Sequence, residues 1–340
     1  MRHALEDADR RIIAALLASP RASWRTVARA LGVSERTVVR HAGPLFQDRT
    51  VRTTVVRNPV HFPELIPMAL RVRCRPPRIR AVAAALARRP DTVWVDILGG
   101  GDEISTVVFL DGPEKRNALL LRDLPATDAV DSWTAYTLLR VFPVAFGWTG
   151  GLLSPAEVEL LGSESPLPAV EPADLGPAGV EPPGGGPSLD DTDHALIAAL
   201  ADNGRATYTE LARHARTTAL TARRRTERLA GRVVRLATEV DLALLGVHAE
   251  ALLWITVAPG GLAETAQALS SHPQIRFTAA TTGPANLLAA VAATDLAELY
   301  ELLTGTVGGF RWIASIETTP ILTTYKRAGL IRRQPDRPPG

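Results

Sequence analysis

Ser23-Trp24-Arg25-Thr26-Val27-Ala28-Arg29-Ala30-Leu31-Gly32-Val33-Ser34-Glu35-Arg36-Thr37-Val38-Val39-Arg40 holds two helix starts separated by one glycine turn. Ser23 caps a helix that buries Val27, Ala28 and Leu31 on one face. Gly32 supplies a left-handed backbone position, and Ser34 caps a further helix whose inward set is Val38, Ala42 and Leu45. Upstream, Ile12, Ile13, Leu16 and Leu17 share a face and predict a helix over 7–18. Helix, tight turn and capped helix form a helix-turn-helix, whose last helix projects into the major groove of duplex DNA. With Val38 inward, Glu35, Arg36, Val39 and Arg40 face outward at the front end of that helix. Pro44 is expected to end or kink it near Gly43.

The same pattern returns after 184 residues: without gaps, 9–45 match 193–229 at 12 of 37 positions. The polar identities are Asp9/Asp193, Arg21/Arg205, Arg29/Arg213, Thr37/Thr221 and Arg40/Arg224, which an alanine-rich composition does not explain. The second copy presents Ala219, Leu220, Arg223 and Arg224, then Arg225 and Arg228, and puts Arg216 where the first has its turn glycine. Trp24 and Tyr208 occupy equivalent positions and are expected to pack against the second helix of each copy.

A different pattern follows each copy. Leu70, Val72 and Cys74 alternate with Arg71, Arg73 and Arg75, a half-buried strand. A helix over 78–88, strands over 92–98 and 103–110, a helix over 113–122 and a strand over 130–142 complete the first unit. The second reads as strand 250–257, helix 262–271, strands 274–281 and 286–292, helix 294–304 and strand 311–326. The order β-α-β-β-α-β predicts a ferredoxin-like unit with one bare sheet face, most simply covered by the other copy. Trp94, opposite an inward set of Val93, Val95 and Ile97, is expected to face that partner sheet. The fold class is therefore α+β: two winged helix-turn-helix units (1–58 and 189–240), each followed by a ferredoxin-like unit (64–150 and 247–330). Between the halves, 154–188 hold eight prolines and a Gly-Gly-Gly run and read as a mobile linker, with one short helix starting at Ser154-Pro155.

Charge supports a nucleic-acid partner. The net charge of +2 conceals eleven arginines against five acids over 1–58 and nine against six over 189–238. No basic amphipathic helix with an aromatic face, apolar secretory leader or long apolar run appears, so a cytoplasmic protein without a membrane partner is expected. The lone cysteine, Cys74, excludes an internal disulfide or a cysteine-based zinc site. The seven histidines are scattered without carboxylates at acid–base spacing, so no catalytic residue, metal or cofactor is expected.

Leu189-Asp190-Asp191-Thr192-Asp193-His194-Ala195-Leu196-Ile197, Ser34-Glu35-Arg36-Thr37-Val38 and Glu239-Val240-Asp241-Leu242-Ala243-Leu244-Leu245-Gly246 resemble the feast/famine (Lrp/AsnC) family of bacterial transcription regulators. The resemblance implies contact with double-stranded DNA through Ser34, Arg36, Thr37, Val39 and Arg40, and through Thr218, Thr221, Arg223, Arg224, Arg225 and Arg228. It implies dimerisation by the ferredoxin-like units, here paired within one chain as a fused dimer and open to further homo-oligomers. It also implies a small, amino acid-like effector at the turns matching Gly100, Gly101, Asp102 and Glu103 in copy one and Gly283 and Asn286 in copy two, and a place on the nucleoid. Unequal reading helices predict an asymmetric operator. The alternatives are a siroheme decarboxylase-like enzyme on the same architecture and a non-specific nucleoid architectural protein.

Overall fold

The computed structural model describes residues 5–62, 64–142, 148–163, 188–230 and 232–332. In the first head, α1 (Asp7–Ala18), α2 (Trp24–Leu31) and α3 (Glu35–Gln47) surround Ile13, Leu16, Val27, Val38 and Ala42, none of them measurably exposed. Ser23 accepts from the Thr26 N–H at 3.0 Å and Ser34 from the Thr37 N–H at 3.1 Å; Gly32 between them has φ +67°. The expected stop at Pro44 does not occur: α3 continues to Gln47. The Pro44 ring faces solvent while Leu45 beside it is buried, so packing of the last turn outweighs one lost hydrogen bond.

The second head repeats this with α7 (Asp191–Asp202), α8 (Tyr208–His214) and α9 (Ala219–Leu229). Thr207 and Glu210 form a capping box at α8, and Thr218 caps α9 through the Thr221 N–H at 3.2 Å. Arg216 takes the role of Gly32 with φ +50°, a left-handed position that a side chain adopts at some cost.

Strands β1 (Val51–Arg57) and β6 (Val234–Val240) pair antiparallel from Val51↔Val240 to Arg57↔Val234, a two-stranded ribbon joining the heads. The first ferredoxin-like unit is β2 (Leu65–Cys74), α4 (Ile79–Arg88), β3 (Thr92–Leu98), β4 (Glu103–Asp111), α5 (Gly112–Ala118) and β5 (Val130–Val141). The second is β7 (Ala249–Val257), α10 (Leu262–Ser270), β8 (Ile275–Thr281), β9 (Leu287–Ala293), α11 (Leu296–Glu301) and β10 (Ile313–Arg327). The strand orders are β3-β4-β2-β5 and β8-β9-β7-β10. Helices α5 and α11 end sooner than their sequence patterns suggest and widen into π turns over Leu119–Asp123 and Leu302–Val307.

The last strand of each unit crosses to the other. β5 leaves β2 after Thr137 and pairs with β8 from Leu138↔Thr281; β10 leaves β7 after Pro320 and pairs with β3 from Ile321↔Leu98. Eight strands thereby close into one ring, and a short β11 (Leu330–Ile331) hangs on β10. Alternation places Leu70, Val72 and Val95 under the helices of unit one, while Ala69, Phe109 and Leu138 face the opposite sheet. Trp94 meets Phe277 edge-on at 5.5 Å and Tyr136 meets Trp254 at 5.0 Å across the central seam. Val93 joins this central cluster instead of lying on the helix side with Val95 and Ile97, because a bulge between Thr92 and Trp94 shifts the register. Beside the first head, α6 (Pro155–Ser163) packs on α1 and α2 through buried Leu161 and an Arg11–Glu157 ion pair. The rest of the expected linker, 164–187, lies outside the described residues.

Candidate functional site

The two heads are clamped by a reciprocal pair of arginines. Arg21 donates to the Gly204 and Ala206 carbonyls at 2.6 and 2.9 Å; Arg205 donates to the Pro20 and Ala22 carbonyls at 2.6 and 3.0 Å. Arg21 stacks 5.2 Å from the Tyr208 ring and Arg205 4.2 Å from the Trp24 ring. Each planar fork spans two carbonyls of the opposite head, a task lysine cannot perform. Burial, and then the neighbouring Arg21 charge, bring the Arg205 guanidinium down to about 10, which leaves it cationic at neutral pH. Gly204 donates to the Thr53 carbonyl at 2.7 Å, and a Cβ there would lie 2.7 Å from the Thr53 methyl. Backbone and clamp together fix the heads against the ribbon.

On this rigid pair, α3 and α9 present their front ends outward. Ser34, Arg36, Val39 and Arg40 are exposed and Thr37 is half-buried in its capping contact; Thr218, Arg223, Arg224 and Arg228 are exposed, with Thr221 and Arg225 half-buried. Arg36 and Arg224 make no ion pair among the described residues, and Arg40 touches only the His41 ring at 3.1 Å. The other cations are committed. Arg223 pairs with Glu227 at 2.8 Å; Arg225 pairs with Asp190 at 2.6 Å and Asp193 at 3.0 Å; Arg228 pairs with Asp193 at 2.5 Å. Asp193 is 1% exposed, so Arg225 and Arg228 hold the start of α7. Two exposed apolar groups, Val39 and Leu220, stand among the arginines.

The turns expected to hold an effector lie where the long strands cross between units. Gly99 packs on Pro320, and Gly283, at φ +96°, leaves only 2.9 Å between a would-be Cβ and the Tyr136 ring. Gly100 sits over Asp102 with 2.5 Å from a would-be Cβ to the carboxylate, and Gly101 has φ +72°. Glu103 pairs with Arg71, which also holds Glu317 at 2.6 Å and stacks on Trp254 at 5.0 Å. Asn286 donates to the Val257 carbonyl and accepts from its N–H, both at 2.8 Å. Glu103 and Asn286 thus spend polar groups within the protein. Among the described residues no group of three metal-binding side chains occurs, and no helix is long and apolar enough to cross a membrane.

The AsnC-type helix-turn-helix domain model matches residues 5–40 and 189–230, one span in each head, and the Lrp/AsnC ligand binding domain model matches 250–331. Each half of the chain thus carries an AsnC-type helix-turn-helix match, and the second half also carries the Lrp/AsnC ligand binding match. An uncharacterized HTH-type transcriptional regulator of Pyrococcus horikoshii is 27% identical to this chain over 146 residues, 42% of the chain and 92% of the relative. A counterpart from Pyrococcus abyssi is likewise 27% identical over the same shares. Among solved structures, the siroheme decarboxylase NirDL shares the two-unit fold with a TM-score of 0.59 at 11% identity, covering 95% of this chain and 93% of that one.

The sequence pattern found α3 and α9 but missed the clamp. Arg21 and Arg205 stood out only as a repeated pair; their partners are backbone carbonyls, which carry no residue-type signal.

Proposed function

We propose that this Lrp/AsnC-type chain is a sequence-specific regulator of transcription that binds double-stranded DNA as a fused dimer. The observation that carries the reading is the arginine clamp: it holds two capped reading helices in fixed relation with Arg36, Arg40 and Arg224 unspent. Head one reads through Ser34, Arg36, Thr37, Val39 and Arg40, and head two through Thr218, Thr221, Arg223 and Arg224. Arg225 and Arg228 act as supports for α7. Since the two edges differ, the operator is asymmetric. An amino acid-like effector acts at the strand-crossing turns around Gly100, Gly101, Asp102 and Glu103, and around Gly283 and Asn286. The protein works on cytoplasmic nucleoid DNA.

Selection of bound fragments from random duplex DNA, followed by competition with unrelated DNA, tests this. A recovered asymmetric motif and a large specific excess are expected. Binding with a steep salt slope and no preference would turn the reading to an architectural protein.

The shared fold also favours a second reading, an enzyme acting on a tetrapyrrole, since the NirDL structure was solved with an iron-uroporphyrin III analogue. The cavity between heads and barrel, about 120 Å³, is near the ~150 Å³ that holds one benzene ring, against four pyrroles in such a substrate. Siroheme added to the purified chain is expected to leave the absorption spectrum unshifted.

A further inference from the structure

The ribbon and the open end of the barrel enclose that cavity, which is lined by Val56, Arg235 and Ala237 from the ribbon and by Trp94, Arg276 and Arg327 from the barrel. Its walls are otherwise largely apolar, with Phe109, Val107 and Phe277 among them. Its charge is one-sided. Arg327 is 3% exposed, and it shares a single acid with Arg276: Glu250 lies 2.8 Å from Arg327 Nη2 and 3.3 Å from Arg276 Nη2. Burial, then repulsion from Arg327, bring Arg276 down to about 10. The nearby acids are engaged: Glu239 holds Arg332 at 2.6 Å, and Asp96, pushed upward by burial, accepts from the Thr324 hydroxyl at 2.6 Å.

The lining side chains include buried polar atoms without a hydrogen-bond partner, namely Trp94 Nε1, Arg276 Nε and Arg327 Nε and Nη1. Every one of these is an N–H donor. Buried donors without acceptors are costly, and charged ones more so, hence a fold that retains several around one space has a use for them. The acceptor that suits a guanidinium pair is a carboxylate, and the body that suits aromatic walls around so small a space is a single ring.

We propose that this cavity is a binding site for one small aromatic carboxylate, its ring packed against the Trp94, Phe109 and Phe277 walls and its acid group on Arg276 and Arg327. The ligand carries no ammonium, because the acids near the cavity already have partners and the remaining charge is cationic. This separates it from the amino acid-like effector placed at the Gly100 and Gly283 turns. It binds once per chain: the residue before the stacked aromatic is Arg276 in copy two but Val93 in copy one.

Isothermal titration and tryptophan fluorescence on the full chain, with phenylacetate, L-phenylalanine and benzyl alcohol as probes, test the site. Phenylacetate is expected to bind one per chain and change the emission of Trp94. L-phenylalanine and benzyl alcohol should bind about tenfold more weakly or worse, the first lacking charge complementarity and the second the charged hydrogen bonds. Arg276→Met should weaken phenylacetate by about tenfold or more while keeping the circular dichroism spectrum. Ala237→Leu, which fills the cavity and leaves the cations alone, should weaken it similarly and decides the matter if Arg276→Met fails to fold. Absence of phenylacetate binding, two sites per chain, equal affinity for benzyl alcohol or L-phenylalanine, or undiminished binding by Ala237→Leu would each overturn the proposal.

Discussion

Replacing Arg205 with alanine tests whether the heads act as one rigid reader. The change removes two charged-donor hydrogen bonds, at 2.6 and 3.0 Å, and a guanidinium 4.2 Å from the Trp24 ring. Such hydrogen bonds contribute ~1.5–3 kcal/mol each, and a partly desolvated cation–π contact adds ~1 kcal/mol. Burial deep enough to bring Arg205 down to about 10, together with repulsion from Arg21, takes part of this back. A net ~3 kcal/mol is left for the head-to-head contact, with the vacated Ala22 carbonyl, buried in the parent, adding to the loss. The ribbon pairs survive, so the variant stays folded but its heads lose their fixed relation. If that preorganisation is spent on DNA, ~3 kcal/mol corresponds to an affinity drop of up to ~100-fold on a two-half-site fragment. The assay is fluorescence anisotropy on the selected operator and on the same fragment with about 5 bp, half a helical turn, inserted between half-sites. The parent should discriminate sharply between the two fragments and Arg205→Ala weakly. Arg205→Lys should recover less than half of the missing binding energy, since an ammonium neither forks across two carbonyls nor stacks as well. Unchanged discrimination by Arg205→Ala would refute the rigid-reader argument.

Three further outcomes follow from the geometry. Replacing Arg36, Arg40 and Arg224 together with alanine should weaken operator binding and flatten the dependence of log K on log salt by about 0.9 for each phosphate no longer neutralised, read by titration at several salt concentrations. Gly283→Ala combines φ +96° with a ring 2.9 Å from the new Cβ and should cost ~2 kcal/mol or more, whereas Gly101→Ala, at φ +72° in open space, should cost ~1 kcal/mol; thermal melts rank the two. Cys74 is 1% exposed, and burial, then Asp131 and Asp102, push its thiol up to about 11. It should resist a thiol reagent at about pH 8 in the native chain and react fully in denaturant.

Local signals carried far in this chain. Two serines and a glycine placed α2 and α3 nearly to the residue, because caps and left-handed turns are chosen by the residues that make them. The bare sheet faces announced that the two units must cover each other. The strand exchange was not legible: β5 and β10 keep one alternating pattern through the crossing, and the only hint is length, 12 and 15 residues against a usual ~5–6. At the candidate site the exposed arginines of α3 were legible, but the commitment of Arg225 and Arg228 to Asp193 was not. That contact joins the first turn of α7 to α9 through tertiary packing. Arg276 and Arg327 were overlooked for the opposite reason, since an arginine on a strand reads as solvent-facing until the barrel closes over it.

Fusion explains why such residues survive near the central seam. In a dimer of identical chains, every substitution at a two-fold axis occurs twice, so an arginine beside the stacked aromatics would face its own copy. In this chain Arg276 precedes Phe277 while Val93 precedes Trp94, and Phe277 meets Trp94 edge-on. At this pair of equivalent positions one copy contributes a charge and the other an apolar side chain. The heads show the same division. Head two ties Arg225 and Arg228 to its own α7. Head one has His41 at the position equivalent to Arg225, set on Asp9 at 2.7 Å, and leaves Arg36 and Arg40 without a carboxylate partner among the described residues. What stays symmetric is what must match across the axis: Arg21 and Arg205 serve each other's head, and losing either breaks half of the clamp. The positions that diverged are therefore those free of a reciprocal partner, and they supply both the unequal reading edges and the one-sided charge of the cavity.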